Sequence, residues 1–547
     1  MATFCYYSTP SLEATTGMSQ KLFVTFLIWV TVCVCHERLF AWQNDSTPNI
    51  VLIMCDDMGW SDIGCYGGEV QTPHLDRFAK EGMRFTQFYN NGKCTTTRAS
   101  ILTGLYPRRG KGGLLRTDMV TSGEALKLAG YQTALIGKWH LGSEPETHPF
   151  HRGFDEFYGL LDGCCNFFDP SIKDPPYKGG KVRKFGQNDQ LITSFPDDFY
   201  TTDAFTDKSI ECVKKFAAND RPFLLHLNYT APHYPLHAKP QDIAKYRGRY
   251  KALGGWLPLR ELRFQKLQKV GLATDSWKLS DVDENAYDWA KANHNHEDLR
   301  MAVYAAMIDS MDQNIGRLRT ALEDAGVADN TLIIFLSDNG GCAEEPGGRR
   351  PKIVPGPKEF YAAVGPAWGW AKNSPFKKHK LHTHEGGIVT PCIAWWPGKI
   401  EAGEITRQPV HIIDVMPTLL EVAGGRYPDE HANQEIIPLE GKSFVPILKG
   451  EKRDPHDQLF WEWGGNRAVR QDDWKAVYSK RDDQWQLFNL AEDRCETVDL
   501  ASENAELMQR LSDDWKKWAQ QTGLKIRSKR AGKKGQPKSP QMGGIER

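Results

Sequence analysis

The sequence predicts an α/β protein. A large, mostly parallel sheet is sandwiched by helices, and a small C-terminal unit adds an antiparallel sheet and a helix. Three observations carry this. Short, wholly apolar runs alternate with helical segments between residues 49 and 340, as strands buried on both faces do. Four of those runs end in polar residues, at the sheet edge where open α/β folds bind ligands. After Gly450 the chain turns to short strands separated by turn residues.

The elements follow in order. Residues 49–54, NIVLIM, read as a buried strand that runs into Asp56 and Asp57. Thr121 and Glu124 have capping-box spacing before a helix that Gly130 stops. Residues 132–136 form the next strand, ending at Gly137-Lys138-Trp139-His140. Residues 222–228 form another, followed by Ala231-Pro232-His233. From about residue 246 to 300 lies a charged, Trp-containing insertion with helical stretches. A helix then places Val303, Met307, Met311, Leu318 and Leu322 on one face and ends near Gly326. The strand 331–336 runs into Asp338-Asn339-Gly340. The C-terminal strands are expected at 459–463, 467–470, 474–478 and 485–490, with a helix around 507–518. This divides the chain into a leader (1–41), a catalytic domain (48–449), a C-terminal subdomain (450–524) and a basic, disordered tail (525–547).

Bulk properties narrow the function. The 547 residues carry no net formal charge, so bulk electrostatics give no pointer to nucleic acid. The 17 tryptophans are scattered and read as core and rim residues. Lys21 precedes an apolar run over residues 22–35, with a cleavage site after Ala41. That is the layout of a signal peptide, for which Met18 offers an alternative start. The run is short for a membrane span, although an uncleaved anchor is the competing reading. The protein is therefore expected to be exported to a periplasmic, secreted or equivalent compartment, with no stable membrane span. Of 12 cysteines, three precede the cleavage site. The other nine form no C-x-x-C or Cys/His pattern, which argues against zinc and leaves room for a disulfide or two.

The polar strand ends pool into one site. Asp56, Asp57, Asp338 and Asn339 offer hard oxygen ligands, which suit Ca²⁺ or Mg²⁺. Arg98, Lys138, His140 and His233 supply cationic and proton-transferring groups.

The run Cys94-Thr95-Thr96-Thr97-Arg98, continued through Thr103-Gly104-Leu105-Tyr106-Pro107, resembles the sulfatase signature C-x-P-S-R followed by a helix and T-G-x-Y-P. Threonine caps are expected to start that helix here, beside free N–H groups that favour an anion. Other motifs agree with the family pattern: x-D-D-x-G after the first strand, Ser337-Asp338-Asn339-Gly340, Gly137-Lys138-Trp139-His140 and Pro232-His233-Tyr234-Pro235. Asn373-Ser374-Pro375-Phe376, then Lys380, then Glu385-Gly386-Gly387, match a further motif that picks Lys380 from a basic cluster. Lys377, Lys378 and His379 are expected to be surface charges. His384 reads equally as a substrate contact or a structural residue. The chain is thus similar to arylsulfatase-type, formylglycine-dependent sulfatases of the alkaline-phosphatase-like superfamily, from about residue 49 to 522.

That resemblance implies a chemistry. A formylglycine-generating enzyme would oxidise Cys94 to formylglycine, an aldehyde whose hydrate attacks sulfur. Asp56, Asp57, Cys94, Asp338 and Asn339 would surround the ion, Ca²⁺ with Mg²⁺ as the alternative. Lys138 and Arg98 would steady the hydrate, Lys380 and His233 would hold sulfate and assist the leaving alcohol, and His140 would take a proton from the second hydroxyl. The substrate would be a sulfated small molecule or a sulfated carbohydrate. Its selection is expected in the loops 160–200 and 246–300. A phosphonate monoester hydrolase or phosphodiesterase would share the scaffold, and an inactive binding homologue would result if Cys94 stayed unconverted. Thr96 replaces the family's proline, and that exchange is expected to slow conversion.

Overall fold

A computed structural model describes residues 47–107, 115–350 and 352–524. The leader and the basic tail lie outside these residues.

The sheet has eleven strands. They are β1 (Asn49–Cys55), β2 (Met83–Tyr89), β3 (Gln132–Gly137), β4 (Glu156–Leu160), β5 (Phe185–Gln187), β6 (Gln190–Leu191), β7 (Phe223–Asn228), β8 (Thr331–Ser337), β9 (Val389–Trp395), β10 (Glu404–Thr406) and β11 (Val410–His411). Their order is β10-β2-β9-β8-β1-β7-β3-β4-β5-β6, with β11 beside β2. The centre, β8-β1-β7-β3-β4, is parallel throughout. β9 enters antiparallel between β2 and β8.

Alternation along β1 shows the two covered faces. Val51, Ile53 and Cys55 enter one core, with Met301, Met307, Met311 and Leu318 of the long helix His294–Asp324. Ile50, Leu52 and Met54 enter the other, with Ile101, Leu126, Met416 and Leu419 from helices on the opposite side. Each such side chain, fully withdrawn from water, contributes roughly 1.5–3 kcal/mol. The nine described cysteines are all free, so the expected room for a disulfide is not used among them. Seven tryptophans are among the largest fully buried side chains, as core residues should be.

The C-terminal unit is a meander of β12 (Leu459–Trp463), β13 (Asn466–Gln471), β14 (Trp474–Ser479) and β15 (Gln484–Asn489), closed by a helix, Ala505–Gln521. The capping box is formed as read: Thr121 Oγ1 accepts from Glu124 N–H, and Glu124 accepts from Thr121 N–H. The insertion contributes a helix, Trp256–Lys269. Its Arg260 and Arg263 are fully buried. Arg263 pairs with Asp62 and Glu69, and Arg260 donates to the carbonyls of Trp370 and Pro375. These arginines hold the scaffold behind the site.

Candidate active site

The carboxyl ends of β1, β3, β7 and β8 deliver their polar residues to one point. Asp57 follows β1 in the left-handed region, φ 68°, which Asp tolerates better than most residues. Its N–H donates to Asp338 Oδ1 at 3.2 Å, tying the ends of β1 and β8 together. Helix Cys94–Thr103 approaches from the side, with Cys94 as its first residue. The cap differs from the expected threonine. It is Lys93, with no side-chain cap bond, and the threonines act inside the turn. Thr96 Oγ1 donates to Lys93 O at 2.8 Å, and Thr97 Oγ1 accepts from Asn91 N–H at 3.0 Å. The helix stops at Gly104, φ 70°, where a Cβ would meet Leu439 at 2.6 Å.

Each of the three carboxylates has a cationic partner. Arg98 reaches Asp338 Oδ2 with Nη2 at 2.8 Å and Nε at 3.1 Å, and its Nη1 donates to Lys138 O at 2.9 Å. Lys138 Nζ meets Asp56 Oδ2 at 2.5 Å. Lys380 Nζ meets Asp57 Oδ2 at 2.8 Å. His233 Nε2 lies 3.4 Å from the same oxygen, while its Nδ1 contacts Tyr234 O at 2.5 Å. That second contact makes Nδ1 the proton-bearing nitrogen of the neutral ring. Cys94 Sγ lies 3.6 Å from His140 Nδ1. Every catalytic and metal residue expected from the sequence is therefore in one cluster.

The electrostatics follow from burial. Burial, with Asp338 and Asp57 beside it, raises Asp56 to about 8 against the pull of Lys138 and Arg98. Burial also acts on Asp57, but Lys380, His233 and Lys138 outweigh it and hold the carboxyl well below its usual range. Burial and the neighbouring Lys138 and Arg98 push His140 well down, so its ring is neutral. Burial likewise lowers His233, with only Asp57 opposing strongly. Lys380 stays charged, because Asp57, Cys342 and Glu344 more than offset burial.

The donor set fits a hard cation. One ligand atom each from Asp56, Cys94 and Asp338 lies within 4.8 Å of the others, as does one each from Asp56, Asp57 and His233. Asp56 Oδ1 and Asn339 Oδ1 are buried without a hydrogen-bond partner. Asn339 Nδ2 is already used, donating to Asp57 Oδ1 at 2.7 Å and to Gly340 O at 3.0 Å, which leaves Oδ1 as its unsatisfied atom. Two orphaned oxygens among carboxylates are what an oxygen-liganded ion would satisfy.

Three residues behave otherwise than the sequence suggested. Lys377, Lys378 and His379 are half-buried, and Lys378 pairs with Asp283 and Glu284 of the insertion. His384 is buried, its Nε2 contacts Gln486 Oε1 at 3.3 Å in the C-terminal sheet, and its Nδ1 has no hydrogen-bond partner. One site residue went unread. Glu344 Oε2 lies 3.0 Å from Lys380 Nζ, and although burial raises it, Lys380 and Lys93 draw it down to about 2. Its sole signal is its place six residues after Asp338.

Known proteins similar to this chain are sulfatases. The sulfatase family model matches residues 48–425, and that of the N-sulphoglucosamine sulphohydrolase C-terminal region matches 375–521. An uncharacterised sulfatase of Schizosaccharomyces pombe is 31% identical over 87% of this chain and 94% of its own. The arylsulfatase of Klebsiella aerogenes is 32% identical over 75% of this chain and 94% of its own. The crystal structure of Ps i-CgsB in complex with k-i-k-neocarrahexaose superposes with a TM-score of 0.65 at 27% identity, covering 88% of this chain and 94% of that one.

Proposed function

Because the chain belongs to the sulfatase family and hydrolyses sulfate esters, we propose that it does so through an aldehyde made from Cys94, beside a divalent cation. The observation that carries this reading is the setting of Cys94. Its sulfur begins a helix and lies 3.6 Å from a neutral His140, beside three carboxylates that each hold a cation.

The residues divide the work. Formylglycine would supply, as its hydrate, one hydroxyl to bond to sulfur as the ester's S–O bond to the alcohol breaks, and a second whose deprotonation would restore the aldehyde as the C–O bond to sulfate breaks. His140 Nδ1 is placed to take that second proton, and its lowered basicity keeps it free to do so. Arg98 and Lys138 fix the positions of Asp338 and Asp56. Lys380 Nζ, held charged, is the group to steady the sulfate oxygens and meet the departing oxygen, with His233 Nε2 beside it. Asp56, Asp57, Asp338 and Asn339, with the position of Cys94, would hold Ca²⁺, or Mg²⁺. A divalent cation there supplies Lewis acidity and offsets the charge of the bound sulfate. Counted as ionised, Asp56, Asp57, Asp338 and Glu344 outnumber Arg98, Lys138 and Lys380 by one, so a divalent ion would make the site net positive and ready for an anion.

The substrate in this reading is a sulfated carbohydrate, supported by the resemblance to a structure solved with a neocarrahexaose. The leader supports export, and a formylglycine-generating enzyme is the partner required for maturation. Parallel assays on an aryl sulfate and an aryl phosphonate monoester test the reaction class. Sulfate turnover should dominate; preferential phosphonate cleavage would replace this reading.

A further inference from the structure

We propose that the cleft between residues 166–178 and 353–361 is a second subsite, which takes a further sulfate-bearing unit of an extended carbohydrate. The proposal rests on the sulfatase reading for where the scissile ester sits.

Three tyrosines lead outward from the site. The Tyr234 ring lies 4.1 Å from that of His233, Tyr361 lies 6.0 Å from Tyr234, and Tyr177 lies 6.3 Å from Tyr361. Tyr177 OH donates to Tyr361 O at 3.4 Å, joining the two loops. Beyond them opens a cavity of about 180 Å³ lined by Tyr177, Tyr361, Lys173 and Lys358 among others. Tyr177 and Tyr361 bring ring edges and hydroxyls to the cavity for a sugar to contact, while the faces of Tyr234 and Tyr177 carry cations.

The rim is cationic. Lys178 Nζ donates to Tyr234 OH at 3.2 Å and stands 5.0 Å over that ring. The Arg350 guanidinium lies 4.4 Å from the Tyr177 centroid. Neither has a carboxylate partner among the described residues, and nor do Lys173 and Lys358. Two acids line the same cavity. Asp174 is buried and already tied to Arg183, and Glu359 is exposed. A chain with no net charge thus gathers four uncompensated cations against one free carboxylate, beside its anion-processing site. Charge placed this way selects an anionic partner. A small aryl sulfate would reach Lys380 and leave this cleft empty. A chain with a second sulfate would fill both.

The test compares the full-length protein with a Lys178→Ala/Lys358→Ala variant. Calorimetry follows a galactan hexasaccharide carrying several sulfates and one carrying a single sulfate, while turnover of 4-nitrophenyl sulfate is measured separately. The unaltered protein should bind the multiply sulfated chain about 10-fold more tightly than the variant does, as two partly screened ion pairs would give. That gap should narrow in about 0.5 M salt. The variant, which keeps Lys173 and Arg350, should distinguish the two hexasaccharides less than the unaltered protein does. Equal affinity of both proteins for the multiply sulfated chain would overturn the subsite. A surviving difference in binding, with no turnover of 4-nitrophenyl sulfate by either protein, would uphold the subsite and remove the proposed catalysis.

Discussion

At the scale of single residues, the proposed chemistry turns on Cys94 and Thr96. Cys94→Ala removes the sulfur and nothing structural beyond it, so the variant should fold and bind the ion yet lose turnover. Retained full activity in a rate assay would remove the assignment. Thr96 is the third helical residue, where an N–H has no helical acceptor, so proline fits there. Thr96→Pro forfeits only the hydroxyl bond to Lys93 O, worth about 1 kcal/mol. Recombinant protein should be a mixture of thiol and aldehyde, and Thr96→Pro should raise the aldehyde fraction and the rate together. Quantitative aldehyde in the unaltered protein from a general expression host would show threonine to be no handicap. Most site residues were legible, because each ends an apolar strand or sits in a motif. Glu344 was not, since nothing in its neighbours distinguishes it from a loop acid; only the fold brings it to Lys380.

At the scale of elements, the loop carrying Lys380 depends on the C-terminal sheet. Lys378 and Leu381 both have positive φ, 67° and 75°, a conformation that costs non-glycine residues energy unless it is held in place. Asn466 Nδ2 of β13 donates to Leu381 O at 3.0 Å, and Thr383 Oγ1 donates to Arg467 O at 3.0 Å. Lys475 of β14 pairs with Glu385 at 2.6 Å and Glu496 at 2.8 Å, all three buried. Lys475→Ala should therefore destabilise the protein by about 3–5 kcal/mol, because it strands a buried carboxylate; urea unfolding reads this out. A second element, the helix Val415–Val422, is preceded by Asp414. Burial raises Asp414, but His456 and Arg453 outweigh it and bring the carboxyl down to about 2. The folded value is depressed, so its stabilisation is present above the unfolded value near 3.9 and is lost as pH falls towards 2. Asp414→Asn should lower stability at neutral pH by roughly 2 kcal/mol and flatten the loss between about pH 4 and 2. The sequence revealed the fully apolar strands and the capping box. It hid β9, whose Pro391 reads as a strand breaker, and β2, whose polar Arg84 and Gln87 interrupt an apolar run.

At the scale of the whole molecule, the sheet brings four strand ends together, and the proposed ion would complete them. A ligand that binds only the folded state stabilises it by about 2.7 kcal/mol at 100 times its dissociation constant. Calcium or magnesium should therefore raise the melting temperature of the metal-free protein. Chelation should abolish activity and either ion should restore it, whereas stoichiometric zinc by elemental analysis would contradict the oxygen-ligand assignment. The layered architecture and the antiparallel C-terminal sheet were legible from hydrophobic patterning. The cationic cleft was not, because its charges come from two loops far apart in sequence and are diluted in a chain of zero net charge.

In the proposed mechanism Cys94 becomes the aldehyde that does the chemistry. The mass of the peptide spanning Cys94 to Arg98, taken from protein that turns over a sulfate ester, tests it most directly. The aldehyde mass should be present, in a fraction that rises and falls with specific activity across preparations. Full activity in protein whose Cys94 is entirely an unmodified thiol would contradict it.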